Sequence, residues 1–386
     1  MFKKFFMKTR VILYAAFSLI FVKVNANCLD KDDISAKSAI LICADSGSII
    51  FGKNEKEPLP MASTTKIMTS ILAIENLQTY GNKEVEITDD MVKVEGTSMG
   101  LAAGNIVNID TLVQGMLLCS GNDAANAVAM AISGNLDNFV YLMNEKAHMI
   151  GMKDTKFSTP SGLDKDNHHS TAEDMAILGA YAMENEMFSS IASKKSMKVH
   201  FISPNKDVSI RNHNKLLRLY DGCIGVKTGF TKNAGRCLVS CAQRNGARLI
   251  CVTLNAPNDW DDHIKMFNYG FENVSIKTLD DRDFSVSIPV KNSDVSNVVA
   301  KCELATDVCL KNDDIDKVER EVKVLEFAEL PIEKGQILGN VVYSLNGKII
   351  AENPIISTQT LDMPKKQEAK GIFQKIAEFF GRLFHF

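Results

Sequence analysis

Apolar residues along this chain change their spacing several times, and each change marks a different element. Ala39-Ile40-Leu41-Ile42, a turn at Asp45-Ser46-Gly47 and a return through Ile49-Ile50-Phe51 predict a hairpin over 38–52. From 63 to 77 the period lengthens. Ile67, Met68, Ile71, Leu72, Ile74 and Leu77 recur at helical spacing with no Gly or Pro among them, and Pro60 stands just before, as at many helix starts. Residues 107–190 read as mostly helical, with a polar loop at 119–123 inside. The apolar run Cys223-Ile224-Gly225-Val226 then leads into a strand predicted to be buried. Two further strands, Arg236–Gln243 and Ala247–Leu254, are joined by Asn245-Gly246, a strong hairpin signal, and a helix follows over His263–Tyr269.

Around 272–280 the character changes. Phe284-Ser285-Val286-Ser287-Ile288, Glu321-Val322-Lys323-Val324-Leu325 and Asn340–Tyr343 alternate with period two, and Asn346-Gly347 closes another hairpin. These patterns predict an α+β fold: an antiparallel sheet flanked by helices plus an all-helical region, followed by a small all-β domain. The expected limits are 29–273 for the first domain and 276–357 for a β-sandwich, read as a spacer or partner-binding module because it carries no catalytic constellation.

The two ends differ from both. Lys3, Lys4, Lys8 and Arg10 precede the apolar run Val11–Val22, and Val24-Asn25-Ala26 resembles a cleavage site, so 1–26 reads as a signal peptide. The apolar run is 12 residues, against the ~20 of a spanning helix. At 364–386, Ile372, Phe373, Ile376, Phe379, Phe380, Leu383 and Phe384 share one helical face, with Gln374, Lys375, Glu378 and Arg382 opposite. That is the pattern of a cationic amphipathic helix lying on a membrane surface. The expected location is therefore exported, peripheral on the outer face of the cytoplasmic membrane, in the cell wall space.

Charge and cysteine content narrow the partners. Losing 1–26 removes five basic side chains and no acidic one, taking the formal net charge from −3 to −8. Nucleic-acid binding, which needs basic stripes, is not expected. Nine cysteines cannot all pair. Cys43, Cys119, Cys223, Cys237, Cys241 and Cys251 sit in apolar runs as small hydrophobes, while Cys302 and Cys309 flank a short polar turn and are the pair placed to bond. The seven histidines include no His-Glu-x-x-His, so neither a metal site nor any cofactor is expected.

Candidate chemistry lies in three short motifs in order: Ser63-Thr64-Thr65-Lys66, Ser120-Gly121-Asn122 and Lys227-Thr228-Gly229. A serine and a lysine three apart face each other only on a helix. The second such pair, Ser203 and Lys206, encloses Pro204-Asn205 and reads as a turn. Ser63 at a helix start is thus a nucleophile candidate and Lys66 its activating amine. Ser120 supplies a second hydroxyl, and Lys227 a cation on a strand. Each motif alone is common, but together in this order they point to serine acyl transfer.

These residues resemble the low-molecular-mass penicillin-binding proteins, the serine-type D-alanyl-D-alanine carboxypeptidases, over roughly 35–355. Met61 to Thr69 is similar to that family's nucleophile segment, Ser120-Gly121-Asn122-Asp123-Ala124 to its second motif, and Lys227-Thr228-Gly229-Phe230-Thr231 with Ala234-Gly235 to its third. Ser161-Gly162-Leu163 and 170–176 resemble the connection between motifs two and three. The resemblance implies catalytic roles for Ser63, Lys66 and Ser120, and substrate contacts from Asn122, Lys227, Thr228, Gly229 and Phe230. It also implies peptidoglycan stem peptides ending in D-Ala-D-Ala as substrate and β-lactam antibiotics as covalent inhibitors. Two departures stand out. Met61 replaces a usual proline, and 255–263 lacks an arginine that helps several members hold the substrate's terminal carboxylate. The second departure keeps open a D,D-endopeptidase cutting crosslinks. A non-catalytic peptidoglycan-binding scaffold is the reading from outside enzymes.

Overall fold

The computed structural model describes residues 29–363; the expected signal peptide at 1–26 and the amphipathic helix at 364–386 lie outside the described residues. Strand β1, Ser38–Cys43, is buried at every position. Its side chains divide by parity, as a pleated strand requires: Ile40 and Ile42 join one apolar core, and Ala39, Leu41 and Cys43 join another. This two-sided burial explains a strand that reads as a continuous apolar run. It pairs with β2, Ile49–Lys53, and lies within an antiparallel sheet of order β2-β1-β5-β4-β3, where β3 is Cys223–Thr231, β4 Gly235–Arg244 and β5 Ala247–Leu254. The β4–β5 turn places Asn245 and Gly246 at φ 49° and 85°, which is why that dipeptide closes it.

Helices cover both faces. One core receives α1 (Lys66–Tyr80), α2 (Ile109–Cys119), α3 (Asn122–Ser133), α4 (Leu136–Met149) and α5 (Ala172–Glu184). Ile67, Met68, Ile71 and Ile74 of α1 are fully buried there, each contributing about 1.5–3 kcal/mol relative to exposure. The other core receives α6, Asp259–Glu272, which extends beyond the expected 263–269 at both ends. A Cβ at Gly270 would lie 2.6 Å from Leu41 Cδ2, so the helix approaches β1 only because that residue is glycine. The expected helical stretch 107–190 is interrupted by irregular chain at 152–171, which carries Ser161 and His168 to the start of α1. Residues 203–206 are the turn between strands Ser196–Phe201 and Lys206–Arg211, as their proline suggested.

The third motif lies on β3, which is the edge strand of the sheet rather than an interior one. Val226 and Lys227 are nonetheless buried, because the helical region covers that edge.

From Val274 to Ser357 every element is a strand except one 3-10 helix, Asn312–Lys317. A two-stranded ladder, Val274–Asp280 with Ala305–Lys311, faces a six-stranded sheet around a separate apolar core. Asn346 and Gly347 form the expected hairpin turn at φ 52° and 77°. The expected Cys302–Cys309 bond is absent, and all eight described cysteines are free. The Cys302 thiol is directed at Leu304 O, whereas Cys309 packs in the same apolar core as Cys43 and stands 3.2 Å from Cys43 Sγ on β1. Strand pairing decided this: Cys309 lies opposite Ile276 in the ladder that abuts the catalytic sheet. Ser46 Oγ donates to Cys309 O at 2.7 Å, so the turn after β1 is the seat of the β region.

Candidate active site

Ser63 sits in a single 3-10 turn, Ala62–Thr65, that runs directly into α1. Ala62, just before it, is fully buried at φ 48°, a left-handed conformation that costs a non-glycine residue energy and persists only where neighbours enforce it. They do. Thr65 Oγ1 donates to Ala62 O (2.8 Å), and Thr64 Oγ1 donates to Met61 O (2.6 Å). On the other side stands β3. A Cβ on Gly229 would lie 3.0 Å from both Met61 O and Ser63 N, so only glycine lets the strand come this close to the nucleophile turn.

Lys66 is fully buried, and its Nζ has three neighbours: Ser63 Oγ at 2.9 Å, Asn122 Oδ1 at 2.7 Å and Ser161 O at 2.5 Å. Two of the three are carbonyl oxygens, which can only accept. A neutral amine therefore spends its two hydrogens on them and turns its lone pair toward the Ser63 hydroxyl. Burial first, and then the nearby charge of Lys227, hold the Lys66 amine well below its ordinary range. The Asn122 amide is itself fixed, because its Nδ2 donates to Glu95 O at 2.7 Å.

Ser120 caps α2 in the left-handed region, at φ 63°, which brings its hydroxyl to Lys227 Nζ at 3.0 Å. Lys227 also donates to Thr228 O (2.7 Å), and its own burial lowers its pKa to about 7. Ser63, Ser120, Thr228, Gly229 and Phe230 line one cavity of about 570 Å³. The fold thus brings together all eight residues that the sequence singled out. Three motifs, 57 and 107 residues apart in sequence, meet where the helical region covers the sheet edge.

The matches to known proteins follow the same plan. Residues 25–258 match the family model described as D-alanyl-D-alanine carboxypeptidase. The chain belongs to that family. Residues 271–362 match the C-terminal domain of penicillin-binding protein 5. The chain is 33% identical over 340 residues to D-alanyl-D-alanine carboxypeptidase DacF of Bacillus subtilis, covering 86% of each chain. It is 31% identical over 376 residues to DacC of Escherichia coli, covering 92% of this chain and 90% of that one. Among solved structures, penicillin binding protein 5 from Haemophilus influenzae superposes with a TM-score of 0.66 at 29% identity, over 87% of this chain and 100% of that chain.

Within this family member the structure adds residues that motif reading passed over. Arg236, the residue directly after Ala234-Gly235, lines the cavity from β4. Its guanidinium is held by Asp259 through Nε and Nη2 (2.9 and 2.7 Å to Oδ1) and lies 5.3 Å from the Trp260 ring centre. The stretch 255–263 has no arginine, but it supplies the carboxylate and the indole that hold this one. Its position next to the third motif was the available signal. His168 braces the nucleophile turn. Ser158 N donates to its Nδ1 (2.9 Å), so Nε2 carries the proton and faces Thr65 Oγ1 at 2.8 Å. Burial lowers the His168 pKa to about 4, keeping the ring neutral. Asp123 accepts from Met99 N, Leu101 N and Ser98 Oγ, fixing the loop beside Thr97 at the cavity wall.

Proposed function

We propose that the chain is a serine-type D-alanyl-D-alanine carboxypeptidase that removes the terminal D-alanine from peptidoglycan stem pentapeptides through an acyl-enzyme on Ser63. One observation carries the reading: a buried amine, Lys66, has two carbonyl partners and only Ser63 Oγ, at 2.9 Å, left for its lone pair. Membership of the family supports the substrate class.

In this mechanism Ser63 Oγ gives its proton to Lys66 and attacks the carbonyl between the two D-alanines. The oxyanion sits between the Ser63 and Phe230 N–H groups, whose approach Gly229 permits. Ser120, held by Lys227, passes a proton to the departing nitrogen. Thr228, Lys227 and Arg236 take the terminal carboxylate. The Asn122 carbonyl is spent on Lys66, and one Nδ2 hydrogen remains for the substrate backbone. Water then hydrolyses the ester. Penicillins, which carry a carboxylate beside a strained amide, acylate the same Ser63.

The sequence pattern at 1–26 supports export, and that at 364–386 supports peripheral attachment to the outer face of the cytoplasmic membrane. Among the described residues no helix is long and apolar enough to cross a membrane.

The test is release of free D-alanine from an acyl-Lys-D-Ala-D-Ala peptide, with uptake of labelled penicillin, by the full-length protein and its Ser63→Ala variant. Release and labelling by the parent alone are expected. Labelling of Ser63→Ala, or no D-alanine from the parent, overturns the assignment. A D,D-endopeptidase is the second reading, and the cations around the cavity favour it.

A further inference from the structure

The cavity at Ser63 extends along a segment that the mechanism has not used. Residues 211–215 read Arg-Asn-His-Asn-Lys, and their environment alternates with the sequence: Arg211, His213 and Lys215 are exposed, Asn212 and Asn214 buried. The asparagines pin the segment from within. Asn212 Nδ2 donates to Ala192 O and Lys194 O (3.1 and 3.0 Å), and Asn214 Nδ2 donates to Gly225 O on β3 (2.9 Å). His213 N donates to Leu118 O. The outward side chains of Arg211, His213 and Lys215, with Arg218 beyond, then form one wall of the cavity that holds Ser63, Ser120 and Thr228.

Charge makes this wall unusual. The chain as a whole is acidic, yet Arg211, Lys215 and Arg218 form no ion pair among the described residues. Arg236 alone has its acid, Asp259. Partial burial of the ring, and then the charge of Lys227, hold the His213 imidazole below its usual range. One terminal D-alanine brings one carboxylate, for which Thr228, Lys227 and Arg236 suffice. Three fixed cations remain. Their segment is tied to Leu118 O, two residues before Ser120, and to Gly225 O, two residues before Lys227; the Ser120 hydroxyl, held by Lys227, protonates the departing nitrogen, which puts these cations on the leaving side of the scissile bond.

We propose that Arg211, Lys215 and Arg218 form a subsite for a second anionic group on the leaving side, selecting substrates whose departing portion is a carboxylate-bearing peptide. Such a bond joins two acidic stem peptides, as in a crosslink. In acylation the Ser63 Oγ–C bond forms, the C–N bond breaks, and the proton passes through Ser120 to an amine that leaves as a peptide. This inference rests on the acyl-enzyme reading above and names its substrate class.

The experiment compares acyl-Lys-D-Ala-D-Glu with acyl-Lys-D-Ala-D-Gln, which differ at the leaving residue by one charge and almost nothing in shape. The full-length protein is expected to cleave the glutamate substrate with about tenfold higher kcat/KM, the sum of three partly solvated ion pairs. The preference should shrink in about 1 M salt, where screening acts within roughly 3 Å. In R211Q/K215Q/R218Q the ratio should fall to near unity, with penicillin labelling recorded beside it as the check on folding. Equal rates for the two substrates in the parent overturn the subsite, as does a ratio that survives in the triple variant or in high salt. The parent's own ratio and its salt dependence decide the matter even where the triple variant does not fold. If the parent takes up penicillin and releases D-alanine but ignores the charge, only the subsite falls. If it does neither, the acyl-enzyme reading falls and the subsite with it.

Discussion

In the cleft, Lys66 and Lys227 are buried among carbonyl and hydroxyl oxygens, and neither bonds to a carboxylate among the described residues. In the β region, Asp281 is just as buried, but Arg320 (2.8 Å), Tyr343 (3.0 Å) and Asn353 (2.8 Å) donate to it. Both regions remove a charge from water. Only the second returns an opposite charge and a full set of donors, which makes the charge cheap to keep and chemically inert. The cleft leaves its amines under-compensated, so they release protons readily, at the expense of stability. A buried charge with its partners in place marks a structural joint, and one without them marks a reactive site.

Four substitutions test that contrast, from the largest effect to the smallest. Lys66→Met should slow acylation by penicillin by about a thousandfold or more, the scale of losing a general base, while thermal unfolding shows no loss of stability because an uncompensated amine has gone. A marked drop in melting temperature would show that Lys66 is structural like Asp281. Asp281→Ala should do the reverse. It strands the donors of Tyr343 and Asn353 and should cost about 3 kcal/mol in denaturant unfolding, with penicillin labelling intact at room temperature.

The pH dependence separates the two lysines. Lys227 titrates at about 7 when folded against 10.5 ordinarily. Between those values the unfolded chain holds a proton that the folded chain lacks, so stability rises with pH across that window. Carboxylate binding runs the other way, since it needs the charge and fades above pH 7. Lys227→Arg keeps its charge and should remove the rise in KM for a D-Ala-D-Ala peptide above pH 7; a rise that persists would assign it to another group. The smallest effect concerns His168, which is neutral in the fold down to about pH 4 against 6.5 ordinarily. Stability should rise with pH from 4 to 6.5, and His168→Asn should flatten that slope while costing about 1 kcal/mol. An unchanged slope would show that His168 does not brace the nucleophile turn.

Much of the site was legible because its members are tied by local geometry. Ser63 and Lys66 are one turn apart, so their contact needs only a helix, and the spacing of Ile67, Met68, Ile71 and Ile74 announced one. The Asn245-Gly246 and Asn346-Gly347 turns were readable for the same reason, since two residues with positive φ suffice to define them. Arg236 was not legible as a functional residue. Its partner Asp259 lies 23 positions on, and nothing in either stretch alone shows that β4 and the start of α6 meet. His168 is 103 residues from the Thr65 that it braces. The expected Cys302–Cys309 pairing failed likewise: closeness in sequence suggested a bond, but Cys309 faces Cys43, 266 residues away.

By itself the sequence determined the class of chemistry, the α+β plan and the change to an all-β region, because periodicity and short motifs are properties of neighbours along the chain. Only the tertiary structure decided that the third motif would lie on a covered edge strand and that two lysines would share one buried space. The same packing turned a run of alternating asparagines and basic residues into a cationic wall on the leaving side. Burial and long-range charge set proton affinities, and both arise only when distant segments pack together.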